Sequence, residues 1–89
     1  MNIGEIVKQK LQDELQPSQI AITDQSAQHA GHKASAEGAH LTLYIVSAKF
    51  EGLNEIARHR LIYKILSKEM RGAIHALVIT AVTPGEKNE

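Results

Sequence analysis

The sequence predicts an α+β fold of order αββααβ, a three-stranded mixed sheet with helices packed on one face. Three observations lead there. Helical and strand periodicities follow one another along the chain in that order. The first two strand patterns are joined by a loop, so they read as a hairpin, while the third arrives after a helical crossover and can lie parallel to one of them. Helices on one face of such a sheet is the simplest packing that buries every apolar stripe.

Residues 4–15 carry the first helical pattern, with Ile6, Val7, Leu11 and Leu15 on one side. Pro17 ends it, because the residue before a proline is pushed out of the helical region. QIAIT, residues 19–23, alternates apolar with polar and predicts a short strand. Residues 24–38, DQSAQHAGHKASAEG, hold two glycines and no large apolar side chain, which predicts an exposed, flexible loop of a length often tied to function. HLTLYIVS, residues 40–47, is the clearest strand pattern: Leu41, Leu43 and Ile45 share one face, and His40, Thr42, Tyr44 and Val46 the other. FEG at 50–52 is a turn signal. Asn54 suits a helix N-cap, and Glu55 sits where the helix dipole favours a negative charge. This helix should run to about residue 66, burying Leu53, Ala57, Leu61, Ile65 and Leu66. A further helical turn is expected at 67–71, stopped by Gly72. IHALVITAV, residues 74–82, is long, apolar and β-branched, and reads as a central buried strand. Pro84 and Gly85 close the fold, and 86–89 are expected to be a polar tail. The length fits one domain over residues 1–89.

Composition narrows the chemistry. An 89-residue chain buries only about 60–65% of its unfolded surface, so the core is thin. There is no cysteine, so the chain alone offers no thiolate to a metal; iron or zinc would rest on His, Asp, Glu or a partner's thiols. Lysine plus arginine equals aspartate plus glutamate, ten against ten, unlike a strongly basic nucleic-acid binder. Tyr44, Tyr63 and Phe50 are the only aromatics of the Phe, Tyr and Trp class, too few for a base-stacking platform. No nucleophile elbow, phosphate-binding glycine loop or usefully spaced carboxylate pair is present, so the expectation is that this is no enzyme. The opening MNIGEIVKQKLQDEL lacks the apolar run of a secretory leader, and no stretch approaches the roughly 20 apolar residues of a membrane span. A cytoplasmic location is the expectation.

Five histidines are the one compositional excess. His29 and His32, spaced as HAGH, can reach one ion together, although two ligands fall short of a structural site; the alternative is a pair of solvated loop residues. His75 opens the last strand and shares parity with Leu77, Ile79 and Ala81. It is either half-buried and hydrogen-bonded or a ligand of the kind iron and zinc accept. His59, in RHR, reads as an ordinary helix residue. Arg60, Lys64, Lys68 and Arg71, with Arg58 beside them, make a basic stripe that faces either water or phosphates.

VSAKFEGLNEIARHRLIYKIL followed by IHALVITAVTPGE resembles the BolA family. The phenylalanine-x-glycine turn, the RHR helix leading to an aromatic, and the IHAL strand ending in TP occur in order, and Asp24 and Ser26 fit the family's DxS turn. The resemblance covers almost the whole chain. It implies a class II KH-like fold and partnership with a monothiol glutaredoxin, the pair sharing a 2Fe-2S cluster with glutathione, with no cofactor when the chain is alone. Glutaredoxin cysteine and glutathione would supply sulfur. This chain would supply His75 and a loop histidine, which places it in a histidine-loop subgroup. His29 matches the loop position best, His32 is its near neighbour, and His40 ranks behind both. Alone, the chain would be a monomer or a weak homodimer.

The resemblance therefore implies an iron-sulfur adaptor acting in cluster assembly, trafficking, or iron and stress regulation. The alternative it leaves open is a DNA-binding transcriptional regulator using Arg58, Arg60, Lys64, Lys68 and Arg71. The KH family's GXXG clamp is absent from that region, which reads LSKEMRG.

Overall fold

The computed structural model describes residues 2–25 and 38–87. Helix α1 spans Ile3–Leu15, strand β1 Gln19–Asp24, strand β2 Ala39–Val46, helix α2 Glu55–Ile65, strand β3 Ile74–Val82 and a final helical turn, α3, Pro84–Lys87. Two 3₁₀ turns, Ala48–Phe50 and Glu69–Arg71, flank α2. The order matches the α+β expectation. Residues 26–37 of the expected loop, including His29 and His32, and the last two residues of the tail lie outside the described residues.

The helix starts are locally encoded. Asn2 accepts the Glu5 amide at 2.9 Å while the Glu5 carboxylate takes the Asn2 N–H, a capping box that satisfies two otherwise orphaned donors. Asn54 caps α2 in the expected way, accepting from the Ala57 amide at 2.8 Å. At the end of α1, Gln16 takes a left-handed conformation at φ 41° and turns the chain toward Pro17.

The sheet runs β1-β2-β3, with β1 antiparallel and β3 parallel to β2. Strand β3 is thus an edge strand, not the central strand its apolar run suggested. The helices cover one of its faces, so Ile74 is buried and Leu77, Ile79 and Ala81 are half-buried against the core, while Val78 on the other face is 60% exposed. The central strand is β2, whose Leu41, Leu43 and Ile45 lie in the core with Val7, Leu11 and Leu15 of α1, Phe50, and Ile62 and Leu66 of α2. Ile62, outside the expected stripe, is fully buried, while Leu61 and Ile65 only flank the core.

Two polar contacts, one fully buried, tie the layers together. The Ser47 hydroxyl donates to the Leu15 carbonyl at 2.6 Å and accepts from the Lys49 amide, joining the end of β2 to the end of α1. Lys10 of α1 pairs with Glu69 at 2.7 Å. Glu69 therefore turns inward, at 7% exposure. Burial raises its pKa, but the Lys10 bond, a backbone N–H and the charges of Lys10 and Lys68 outweigh that, and the carboxyl sits below its ordinary value.

Candidate functional site

The site is built where β2 and β3 begin. The parallel register pairs Ala39 with Ile74 but His40 with Ala76, so His75 is an extra residue at a bulge. Strict alternation would turn His75 inward with Leu77 and Ile79. The bulge interrupts that alternation. Ile74 takes the buried position at 3% exposure, and His75 is exposed, not half-buried as strand parity allowed. Its ring stacks on His40, with centroids 5.1 Å apart and planes 30° from parallel.

Gly38 makes this arrangement possible. Its φ of 98° lies in the region that favours glycine, and a Cβ there would stand 3.0 Å from the Gly72 carbonyl oxygen and the His75 amide nitrogen. The Ala39 amide donates to the Ala73 carbonyl at 2.9 Å, fastening the start of β2 beside the start of β3. Gly38, six residues after His32 in the chain, thus lies directly against His75.

Among the described residues no group of three or more His, Cys, Asp or Glu side chains is placed to hold a metal. The donor set at the bulge is imidazole alone, and the chain has no thiolate. Such a surface suits the nitrogen share of a metal centre whose other ligands come from a partner; it does not suit a closed four-ligand cage.

His59 lies away from this pair, half-exposed, with its Nε2 4.0 Å from Glu55 Oε1 one helical turn back. The expected basic stripe divides. Arg58 is engaged: its guanidinium donates to the Leu53 and Ala81 carbonyls at 2.8 and 3.1 Å and to both Glu86 oxygens at 2.6 and 3.1 Å, above the Phe50 ring. The hydrogen bond with Glu86 raises the Arg58 pKa despite partial desolvation. The same bond, with the Thr83 amide, holds the Glu86 carboxyl down to about 2. Arg58 is therefore a structural clasp, not a free phosphate contact, and Glu86 and Lys87 belong to α3 and not to a loose tail. Arg60, Lys64, Lys68 and Arg71 are exposed, but α2 ends at Ile65 and the last two belong to the following turn. They do not form one helical stripe.

Sequence reasoning grouped His75 with His29 and His32, which lie outside the described residues, and it missed the bulge and the contact of His75 with His40. The one local signal was Gly38 directly before the β2 pattern, since an isolated glycine at a strand often marks a bulge or a close backbone approach.

The BolA-like protein family model matches residues 11–86. Protein BOLA1, chloroplastic, of Arabidopsis thaliana is 43% identical over 84 residues, covering 90% of this chain and 52% of that protein, so the chain spans about half that relative's length. The DNA-binding transcriptional regulator BolA of Haemophilus influenzae is 38% identical over 86 residues, covering 97% of this chain and 82% of that protein. The solved structure of BolA1 from Arabidopsis thaliana superposes with a TM-score of 0.82 at 41% identity, covering 97% of this chain and 96% of that one. No helix among the described residues is long and apolar enough to cross a membrane.

Proposed function

The chain belongs to the BolA family, whose members are not enzymes, and from that premise we propose that it is an iron-sulfur adaptor pairing with a monothiol glutaredoxin. The observation that carries this reading is the outward-facing His75, set on a bulge against His40 and beside Gly38, which follows His32 by six residues in the sequence. His75 is the first ligand, and one of His29 and His32 the second. The chain has no sulfur nucleophile or thiolate of its own, so it contributes nitrogen while glutaredoxin and glutathione contribute sulfur. A 2Fe-2S cluster with thiolates on one iron and imidazoles on the other has a higher reduction potential than an all-thiolate one, which suits assembly, trafficking or sensing roles. The sheet face turned away from the helices, with Thr42, Tyr44, Val78 and Thr80 and no charge among them, offers a protein partner an adjoining surface. A cytoplasmic place of work and a monomeric or weakly dimeric state when alone belong to the same proposal.

The test is visible absorption and circular dichroism of the chain co-expressed with a monothiol glutaredoxin, wild type beside His75→Ala. The adaptor reading expects a spectrum distinct from that of glutaredoxin alone and altered by the substitution. An unaltered spectrum would remove His75 from the cluster.

A second reading, DNA binding, draws on the exposure of Arg60, Lys64, Lys68 and Arg71 and on the name of the Haemophilus relative. It expects affinity to fall steeply with salt and with loss of Arg60 and Lys64. The zero net charge and the commitment of Arg58 to Glu86 rank it second.

A further inference from the structure

We propose that His40 is a positioning residue for His75: its ring fixes the outward rotamer in which the His75 imidazole meets a metal-bearing partner. The role deepens the adaptor reading and rests on it for its purpose, while its geometry stands by itself.

The backbone on both sides of His75 is already held. Ile74 pairs with Ala39 and Ala76 with His40, so the freedom left to His75 is mainly in its side-chain torsions. An exposed side chain ordinarily divides its time among staggered rotamers. Here one wall of the space it would sample is the His40 ring, half-buried on the central strand and stacked at 5.1 Å, within the 4.5–7 Å range over which aromatic pairs attract. On another side stands Gly38, where an added Cβ would come within 3.2 Å of His75 Cβ. One neighbour holds the ring, and the other leaves it room.

The stack also argues against co-ligation. An imidazole nitrogen binds a metal along a lone pair in the ring plane, at about 2.0–2.1 Å. Rings stacked with centroids 5.1 Å apart and planes 30° from parallel direct those lone pairs alongside each other and not toward one point. The second nitrogen ligand therefore comes from elsewhere, and His40 acts through its face.

The test compares His40→Ala and His40→Phe. Phenylalanine keeps a ring to stack on but has no nitrogen. Both variants leave Leu41, Leu43 and Ile45 intact, and an amide NMR spectrum checks the fold of each. Two readouts follow: the χ1 couplings and ring resonances of His75 in the chain alone, and the rate of cluster loss from the complex with monothiol glutaredoxin, followed by visible circular dichroism. An aromatic pair of ordinary strength biases a rotamer population by about 2- to 10-fold. His40→Ala is expected to average the His75 couplings and to speed cluster loss by a similar factor, and His40→Phe to restore both. If His40→Phe loses the cluster as fast as His40→Ala while the His75 rotamer holds, His40 acts through its nitrogen and the proposal falls. It falls equally if His40→Ala leaves the rotamer unchanged. If His75→Ala leaves the cluster spectrum unaltered, the adaptor reading fails instead, and the coupling measurement alone still decides whether His40 positions His75.

Discussion

Replacing Gly38 with alanine tests whether the site geometry depends on one backbone position. Two costs add there. A non-glycine residue at positive φ costs about 1–2 kcal/mol. The new Cβ would also meet backbone atoms at 3.0 Å, on the Gly72 carbonyl and the His75 amide, where no flexible side chain can swing aside. Overpacking of that kind costs about 1–3 kcal/mol, so the total is about 2–5 kcal/mol. A chain of 89 residues has roughly 4–13 kcal/mol of stability in all, so the loss is a large share. Gly52 is the matched control. Its φ is 83°, but a Cβ there has nothing within 4 Å, so Gly52→Ala should lose only the backbone part, about 1–2 kcal/mol. Urea unfolding of the two variants measures the difference, and the amide spectrum should place the excess at His75 and Gly72. Equal losses at the two glycines, or a Gly38 variant as stable as wild type, would refute the close approach and with it the account of how His75 is aimed.

Other substitutions probe the frame around the site. Ser47→Ala removes the buried bond to the Leu15 carbonyl and should cost about 1–3 kcal/mol in denaturant unfolding. Leu43→Ala, in the core of the central strand, should cost about 2–5 kcal/mol, whereas Val78→Thr on the open face should stay within about 0.5 kcal/mol of wild type. The Glu86 carboxyl is lowered from 4.5 to about 2, so its contribution to stability is present above pH 4.5 and is lost as the pH falls through about 2. Thermal unfolding of Glu86→Gln should therefore lie below wild type at neutral pH and converge with it in strong acid. A gap that persists unchanged at pH 2 would contradict the Arg58–Glu86 clasp.

The periodic elements were legible because their signals are local. The bounds of β3 and the Asn54 cap are written in short stretches of sequence, and apolar alternation identified the core face of β2. Features set by contacts between distant residues were not legible. The edge position of β3 depends on which strand pairs with which, and an apolar run does not encode that. Ile62 lies deeper than Leu61 because of how α2 is rotated against the sheet. Arg58 looked like one more cation in RHR; only the fold brings Glu86 and the Ala81 carbonyl to it. The exposure of His75 is the clearest case. Strand parity pointed it inward, and the bulge opposite Gly38 and Ala39 turned it out. The spacing of the histidines gave no sign that His40 would be the ring it touches.

In the proposed role this chain lends histidine nitrogen to a cluster otherwise held by sulfur. Its most direct test is pulsed electron paramagnetic resonance of the reduced complex with monothiol glutaredoxin, with ¹⁵N-histidine in this chain only. The adaptor account predicts strong ¹⁵N couplings from two histidines, one of them lost in His75→Ala. A reduced cluster with no ¹⁵N coupling from this chain would contradict it.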